Sequence, residues 1–256
     1  MDGLTVRPLA GEHADWTNRL ASALASTTAW SETLQPLVAK LAANEPLSVQ
    51  DGLTLYQHPD LSEVGALADV VRTARFGNQA FFNSNVHINQ TNICVLACRF
   101  CAFRRGPKAE DAYALSIEEY VNDLGTFAHA VDEVHSVGGL HPEWDVEHYE
   151  AMFRAAKEAY PHVSIKALTA VEIKHLGQRS NLPTKEILRR LKEAGLASLP
   201  GGGAEILDDD IRAKICNGKE SSDEYLQIHR EAHEVGLPSN CTMLFGRSEE
   251  HTSELQ

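Results

Sequence analysis

The densest group of chemically active side chains is a run of three cysteines, Cys94, Cys98 and Cys101, with the spacing CxxxCxxC. Thiolates are the usual ligands of iron–sulfur clusters and of structural zinc. The chain has five cysteines, an odd number, and three of them fall within eight residues. This pattern favours metal ligation in a reducing compartment over a disulfide framework.

The number of ligands separates the possible metal centres. Structural zinc needs a fourth ligand nearby, and neither His87 nor His129 lies at a usual zinc-knuckle offset. Three cysteines on a 4Fe-4S cluster leave one iron without a protein ligand, open to a small molecule. We therefore predict such a cluster on Cys94, Cys98 and Cys101. Two alternatives stay open: a zinc-stabilised binding module, and an electron-carrier cluster whose distant fourth ligand is Cys216 or Cys241.

Composition and charge narrow the class of ligand. The chain has 256 residues, 43% of them apolar, which is enough for one large domain or for a core domain with a smaller attachment. Its net charge of -13 disfavours nucleic acid and anionic membranes and favours a small-molecule substrate. The segment Met1 to Pro8 carries an acid and no long apolar run, so we expect no signal peptide, no membrane span and a cytoplasmic location.

The pattern of apolar residues predicts two parts. Residues 1–82 are typical of a helical segment, in which Asp60 and Glu63 form a helix-start signal. Residues 83–246 alternate short apolar strands with amphipathic helices, an α/β pattern that predicts a parallel sheet, open or closed into a barrel. The predicted strands are Asn85–Asn89, Glu133–Val137, Ser164–Leu168, Ala197–Leu199 and Asn240–Leu244, and the helices are Ser116–Ala130, Val146–Tyr160, Thr184–Ala194 and Ser222–Val235.

Polar and glycine residues follow the predicted strands at one end. In a parallel barrel the carboxyl ends of the strands form the functional rim. If Val86 and Ile88 face the helices, Asn85, His87 and Asn89 face the interior. The residues expected on the rim, strand by strand, are the three cysteines, Gly138 and Gly139, Thr169 and Glu172, and Gly201 to Gly203 with Glu205.

The cysteine loop after the first strand, Phe100 before the last cysteine, and Gly138-Gly139 after the second strand resemble the radical S-adenosylmethionine (SAM) superfamily. The resemblance implies a partial (β/α)6-type barrel preceded by the helical segment. It also implies a 4Fe-4S cluster whose open iron is chelated by SAM. An electron from a flavodoxin- or ferredoxin-like donor would then cleave SAM, consumed as co-substrate, to methionine and a 5'-deoxyadenosyl radical.

Five longer stretches narrow the resemblance to the aminofutalosine synthase family, transferases of menaquinone biosynthesis. It extends from about Leu53 to Gly246 and implies addition of the radical to 3-(1-carboxyvinyloxy)benzoate, with rearrangement and loss of a carboxylate, giving 6-amino-6-deoxyfutalosine. The stretches are His87–Cys94, Cys101–Arg104, Val137–Pro142, Ile165–Glu172 and Ser198–Ile206.

The dehypoxanthine futalosine cyclase family shares the cysteine loop, the Gly-Gly-Leu-His-Pro turn and the glycine run. Three features favour the synthase: Val137, Lys166, and Thr169-Ala-Val-Glu172 where a cyclase is expected to carry Ser-Pro-Pro-Glu. The cyclase remains the alternative within the superfamily.

The functions of several residues can be predicted from their position in the fold or from the family resemblance. Gly138 and Gly139, with Phe100 and Glu205, are predicted to bind the cofactor, and glycine lets backbone approach a ligand closely. Lys166 faces the interior and is predicted to bind a substrate carboxylate or a protein partner, Glu172 or Glu205, unless the strand is misphased and the lysine points outward.

Glu172 and Glu205 are predicted to accept hydrogen bonds from ribose hydroxyls or the methionine ammonium. As acids at helix starts they also have an ordinary structural explanation. His141, just after the glycine pair, is a third catalytic candidate beside Lys166 and Glu172. His87 and His135 are candidate polar groups of the interior, and a hydrogen-bonded structural histidine is the alternative for each.

The ending from Arg247 to Gln256 departs from the resemblance and matches the in-frame translation of a DNA sequencing adapter. We expect residues 247–256 to be an artefactual tail on a barrel cut at about Gly246, with five of six strands. Such a chain would expose an unpaired sheet edge and is expected to fold poorly or to be inactive.

Overall fold

The computed structural model describes residues 16–26 and 30–244. The predicted tail and the segment Met1 to Pro8 lie outside the described residues. The structure divides into two compact units, residues 1–82 and 83–256. No helix in the described ranges is long and apolar enough to cross a bilayer.

The first unit is helical. Its apolar core includes Leu20, Leu34, Leu37 and Leu67, contributed by three of its helices and a connecting turn. The carboxylate of Asp60 accepts hydrogen bonds from the N–H groups of Ser62 and Glu63, so the predicted helix start is correct. The helices are α1 (Trp16–Ser26), α2 (Gln35–Ala42), α3 (Val49–Tyr56) and α4 (Leu61–Phe76).

The second unit is an α/β structure, as predicted. Its four strands are all parallel and lie in the order β1-β2-β3-β4, so each strand pairs with the next along the chain. The elements are β1 (Asn85–His87), α5 (Ile117–Phe127), β2 (Glu133–Ser136), α6 (Val146–Ala159), β3 (Ser164–Ala167), α7 (Ala170–Ser180), α8 (Thr184–Ala194), β4 (Leu196–Ser198), α9 (Asp209–Ile215) and α10 (Ser222–Glu234).

The two faces of the sheet differ in chemistry. Val134 and Ile165 are fully buried in the core beneath the helices, and Val86 packs against the same core. Since side chains alternate along a strand, the residues that follow these three face the other way. The predicted phase of the first strand is therefore correct, with His87 on the face opposite the helices.

The predicted fifth strand, Asn240–Leu244, is not a regular strand. Residues 239–243 run parallel to the continuation of β4, but they form two isolated bridges, at Leu199 with Ser239 and at Glu205 with Met243. Between these bridges the backbone turns, because Gly203 and Glu205 have φ angles of 104° and 49°. Such left-handed residues interrupt a pleated ladder.

Helices α7 and α9 were absent from the predicted elements. The sequence did carry a signal for α7, because Thr169 and Glu172 have the T-x-x-E spacing of a capping box. From the sequence, Glu172 has both a ligand role and this helix-start explanation, without a prediction of the helix itself. The start of α9 is capped by Asp208, whose carboxylate accepts the N–H of Ile211.

Candidate active site

The cysteine loop is fixed on both sides by backbone hydrogen bonds. The Cys94 N–H donates to the carbonyl of Arg105 at 3.0 Å, and the Val95 N–H donates to that of Leu140 at 3.1 Å, next to the glycine pair. Farther along, the Arg99 N–H donates to the carbonyl of Ile215 at 2.8 Å, at the end of α9. The loop is therefore held between the end of β2 and the end of α9.

The glycine pair is required by the cysteine loop itself. A Cβ added to Gly139 would lie 2.2 Å from the carbonyl oxygen of Ile93 and 3.0 Å from the Cβ of Cys94. A Cβ added to Gly138 would lie 2.8 Å from the side chain of Gln90 and 2.9 Å from the Thr91 carbonyl oxygen. The close approach predicted for these glycines is present, and its partner is the segment that enters the cysteine loop. Their contact with SAM stays a prediction.

The three cysteines offer a donor set that fits a 4Fe-4S cluster. Cys101 is exposed and Cys94 and Cys98 are half-buried, all on one loop. Among the described residues, no three His, Cys, Asp or Glu side chains surround a single metal-ion position. The thiolates of a cubane cluster bind different irons, so they need not meet at one point. Cys94, Cys98 and Cys101 are the residues that would hold the cluster.

One cation lies beside the loop, and sequence reasoning missed it. Lys219 is only 10% exposed, and its Nζ lies 2.6 Å from Glu205 Oε1 and 5.6 Å from the centroid of the Phe100 ring. Burial raises the pKa of the Cys98 thiol to about 11, and the charge of Lys219 acts in the opposite direction. No motif surrounds Lys219, so only the fold reveals it. Glu205, predicted to bind the cofactor, is paired with this lysine.

Cys216 also lies close to the loop. It is buried, and it is among the charges that influence the Cys98 thiol. Burial raises the pKa of Cys216 as well. Its burial agrees with the role of a small packed side chain. Its proximity to Cys98 makes it the cysteine to test for the electron-carrier alternative.

Glu172 links the ends of three strands. Its Oε1 accepts hydrogen bonds from the Gly138 N–H at 3.0 Å and from Gln90 Nε2 at 3.2 Å. Its Oε2 accepts the N–H and the hydroxyl of Thr169, both at 2.7 Å. The hydroxyl of Ser136 continues this network to Gln90 Oε1 at 2.9 Å.

Four protein donors thus occupy the Glu172 carboxylate, which is 3% exposed. Burial raises its pKa, and the hydrogen bonds from Thr169, Gly138 and Gln90 oppose that rise. We assign Glu172 to positioning the glycine turn and the start of α7 rather than to contact with ribose or ammonium. Gln90 and Ser136 were missed by sequence reasoning, and both are fully buried.

The face opposite the helices carries a polar row. His87 pairs with His135 in register, and His135 pairs with Lys166, so the three side chains lie side by side across β1, β2 and β3. The imidazole rings of His87 and His135 are stacked, with centroids 4.6 Å apart and planes within 6°. The pKa of His135 is lowered by burial and by the nearby charges of His87 and Lys166.

Lys166 lies on the interior face, as predicted, but its predicted protein partners are wrong. Glu172 is held by backbone and amide donors, and Glu205 pairs with Lys219. In the part of the chain that the structure describes, Lys166 forms no ion pair. A substrate carboxylate remains as its predicted partner.

His141 belongs to an aromatic stack beside the glycine turn. Its ring lies 4.4 Å from that of Trp144, which in turn lies 4.1 Å from the ring of His148. Its Nδ1 accepts the N–H of Glu143 at 3.2 Å, and its carbonyl lies 2.9 Å from His175 Nε2. Burial lowers the pKa of His141. Its catalytic role stays a prediction.

The radical SAM superfamily model matches residues 88–255, which include the cysteine loop, the glycine turn and the three strands that follow β1. The chain belongs to the radical SAM superfamily. Members hold a 4Fe-4S cluster and use SAM, and the three thiols described above provide the expected ligands. The match continues to residue 255, so it does not distinguish residues 247–256 from the rest, and their artefactual origin stays a prediction.

Curated relatives of this radical SAM chain carry out different reactions. It is 42% identical over 217 residues to an aminodeoxyfutalosine synthase of Thermus thermophilus, covering 84% of this chain and 58% of the relative. It is 38% identical to a 5-amino-6-(D-ribitylamino)uracil–L-tyrosine 4-hydroxyphenyl transferase of Methanothermobacter thermautotrophicus, covering 82% and 58%. It is 34% identical to a cyclic dehypoxanthine futalosine synthase of Streptomyces coelicolor, covering 87% and 57%. The chain thus spans less than two thirds of these relatives.

Solved structures agree on the fold. The chain superposes on HydG, a maturase of the FeFe-hydrogenase, with a TM-score of 0.67 at 15% identity, covering 95% of this chain and 53% of HydG. On methylornithine synthase (PylB) the TM-score is 0.63 at 21% identity, covering 85% and 61%. The predicted fold class, a radical SAM α/β barrel preceded by helices, is therefore confirmed.

Proposed function

We propose that the protein is a radical SAM aminofutalosine synthase, which joins the 5'-deoxyadenosyl group of SAM to 3-(1-carboxyvinyloxy)benzoate. When bound, the cluster and SAM supply the deoxyadenosyl radical. The residues of this chain hold the cluster, fix the glycine turn beside it and orient the benzoate substrate. The rim of the sheet thus supplies the half of the site that binds the cluster, and the interior face supplies the half that orients the substrate.

One observation supports the proposal most directly: Lys166 lies on the interior face of the sheet whose rim carries the cysteine loop, and it forms no ion pair with any residue that the structure describes. Lys166 was one of the residues that favoured the synthase over the cyclase. The curated relative that is 42% identical to this chain is an aminodeoxyfutalosine synthase, while the cyclase relative is 34% identical. The higher identity to the synthase relative than to the cyclase relative supports the synthase.

The decisive experiment is a product assay on the anaerobically reconstituted full-length parent of this chain, because the chain spans less than two thirds of its curated relatives. With SAM, a reductant and 3-(1-carboxyvinyloxy)benzoate, we expect 6-amino-6-deoxyfutalosine by mass spectrometry. With dehypoxanthine futalosine in its place, we expect no cyclised product. Formation of the cyclised product, or 5'-deoxyadenosine without aminofutalosine, would contradict the proposal.

A cysteine comparison tests the electron-carrier alternative, which the position of Cys216 near Cys98 keeps relevant. We expect Cys98→Ala to lose the absorbance near 400 nm that is typical of iron–sulfur clusters. Cys216→Ala should keep both that absorbance and SAM cleavage. Loss of the cluster in Cys216→Ala would identify it as a fourth ligand, and no iron would then be open to SAM.

A further inference from the structure

The polar row of His87, His135 and Lys166 has the composition of an anion site. A lysine ammonium provides three donors, and each neutral imidazole provides one N–H donor. On the same face, Nε2 of His135 and Oδ1 of Asn89 are buried and have no hydrogen-bond partner among residues 16–26 and 30–244. Buried polar atoms without partners are rare in folded proteins, so this part of the interior is chemically incomplete without a ligand.

The charges around the row favour a negatively charged ligand. A further positive charge is disfavoured at His135, because its pKa is lowered by burial and by the nearby charges of His87 and Lys166. Glu133 lies two positions before His135 on the same face, but it forms no ion pair with Lys166 among the described residues. An unpaired ammonium in a partly buried position is costly, and a bound carboxylate removes that cost.

We propose that His87, His135 and Lys166 bind the aromatic carboxylate of the substrate, and so determine which end of the molecule faces the cysteine loop. The inference rests on the proposed function and adds the orientation of the substrate. The ring carboxylate would lie against Lys166, within the sheet. The vinyl ether would extend toward the rim, where the cysteine loop lies.

The chemistry of the proposed reaction decides between the two carboxylates of the substrate. One is lost as carbon dioxide, and the unpaired electron that remains passes to a one-electron acceptor such as an oxidised iron–sulfur cluster, while the ring carboxylate survives in the product. An ammonium that pairs with the departing carboxylate would stabilise the substrate more than the transition state, because the negative charge moves away from that group. An ion pair with the surviving carboxylate stabilises the substrate and the transition state equally, so it serves to position the substrate.

Two unreactive probes separate the carboxylates. Benzoate carries only the aromatic carboxylate, and 2-phenoxypropanoate carries only the side-chain carboxylate. Binding to the reconstituted protein with SAM is measured by calorimetry for the wild type, Lys166→Met and Lys166→Arg. We expect Lys166→Met to weaken benzoate at least tenfold and to change 2-phenoxypropanoate less than twofold. Lys166→Arg should recover most of the benzoate affinity.

Two further variants control the result. Lys185→Met removes an exposed lysine, paired with Glu234, and should leave both affinities unchanged. His135→Phe keeps an aromatic ring beside His87 but removes its N–H donor, and should weaken benzoate several-fold. Absence of benzoate binding to the wild type, or equal binding to Lys166→Met, overturns the inference. Benzoate binding that depends on Lys166, in a protein that makes no aminofutalosine, would uphold the carboxylate site and refute the proposed function.

Discussion

Lys219 and Glu205 place one positive and one negative charge beside the cysteine loop. A unit charge at roughly 8 Å in a medium of effective dielectric about 20 contributes on the order of 2 kcal/mol, which corresponds to tens of millivolts. We expect Lys219→Met to lower the reduction potential of the bound cluster, because a positive charge favours the reduced form. Glu205→Gln should raise it. An EPR-monitored redox titration measures both.

The opposite signs make this prediction specific. A variant that merely loosens the loop has no reason to move the potential in a direction set by the charge removed. Lys219→Arg keeps the charge and should keep the potential near the wild-type value. Shifts of the same sign in Lys219→Met and Glu205→Gln would show that packing, and not charge, connects this pair to the cluster.

Glu172 supplies a second prediction at the level of single residues. Glu172→Gln replaces one carboxylate oxygen with an NH2 group, which then faces either the N–H of Gly138 and the side-chain amide of Gln90 or the N–H and hydroxyl of Thr169. Losing buried hydrogen bonds in this way costs about 1–3 kcal/mol. Urea unfolding should show that decrease, whereas Glu118→Gln, on an exposed surface of α5, should change stability by less than about 0.5 kcal/mol. Equal stability of the two variants would contradict the role of Glu172.

At the level of elements, the contact between β2 and the cysteine loop depends on one missing side chain. Gly139→Ala would place a Cβ 2.2 Å from the Ile93 carbonyl oxygen, so the backbone before Cys94 must move. We expect this variant to lose most of its cluster, measured as iron per chain and absorbance near 400 nm. Gly106→Ala, with nothing within 4 Å of the added atom, should retain it. Full iron content in Gly139→Ala would contradict this dependence.

The elements that the sequence predicted well are those defined by local pattern. Alternation of apolar residues located β1 to β3 and the interior position of His87, because a one-residue change of phase would move every side chain to the other face. The start of α7 was also encoded locally, in the Thr169 to Glu172 spacing, but the sequence left Glu172 open between a ligand contact and a helix start. Its true partner, the Gly138 N–H, is 34 residues away.

Non-local contacts explain the remaining errors. Nothing near Lys219 in the sequence indicates that α9 and the segment after it pack against the cysteine loop, or that Glu205 pairs with this lysine. The irregular course of residues 239–243 likewise depends on the left-handed conformation of Glu205, which only the fold reveals. The cysteine spacing was sufficient to predict the family. The charged residues around the cysteine loop could be identified only from the three-dimensional structure.

At the level of the whole molecule, buried histidines determine how stability depends on pH. Burial lowers the pKa of His135, His141, His148 and His229 in the folded protein. Their pKa in the unfolded chain is about 6.5, so the unfolded chain binds more protons as the pH falls through that value. Stability contributed by the neutral rings is therefore present above about pH 6.5 and is lost below it.

His229 offers the sharpest test, since it is 4% exposed and its Nδ1 lies 2.8 Å from the Ser239 hydroxyl. We expect the urea midpoint of the wild type to fall between pH 7.5 and pH 5.5, above the usual range of exposed carboxylates, although Glu172, whose pKa burial raises, contributes in the opposite direction. His229→Gln should reduce that difference, whatever its effect at pH 7.5. His129→Gln, at an exposed position, should leave the difference unchanged. A midpoint in the wild type that is equal at the two pH values would show that the buried histidines do not control stability in this range.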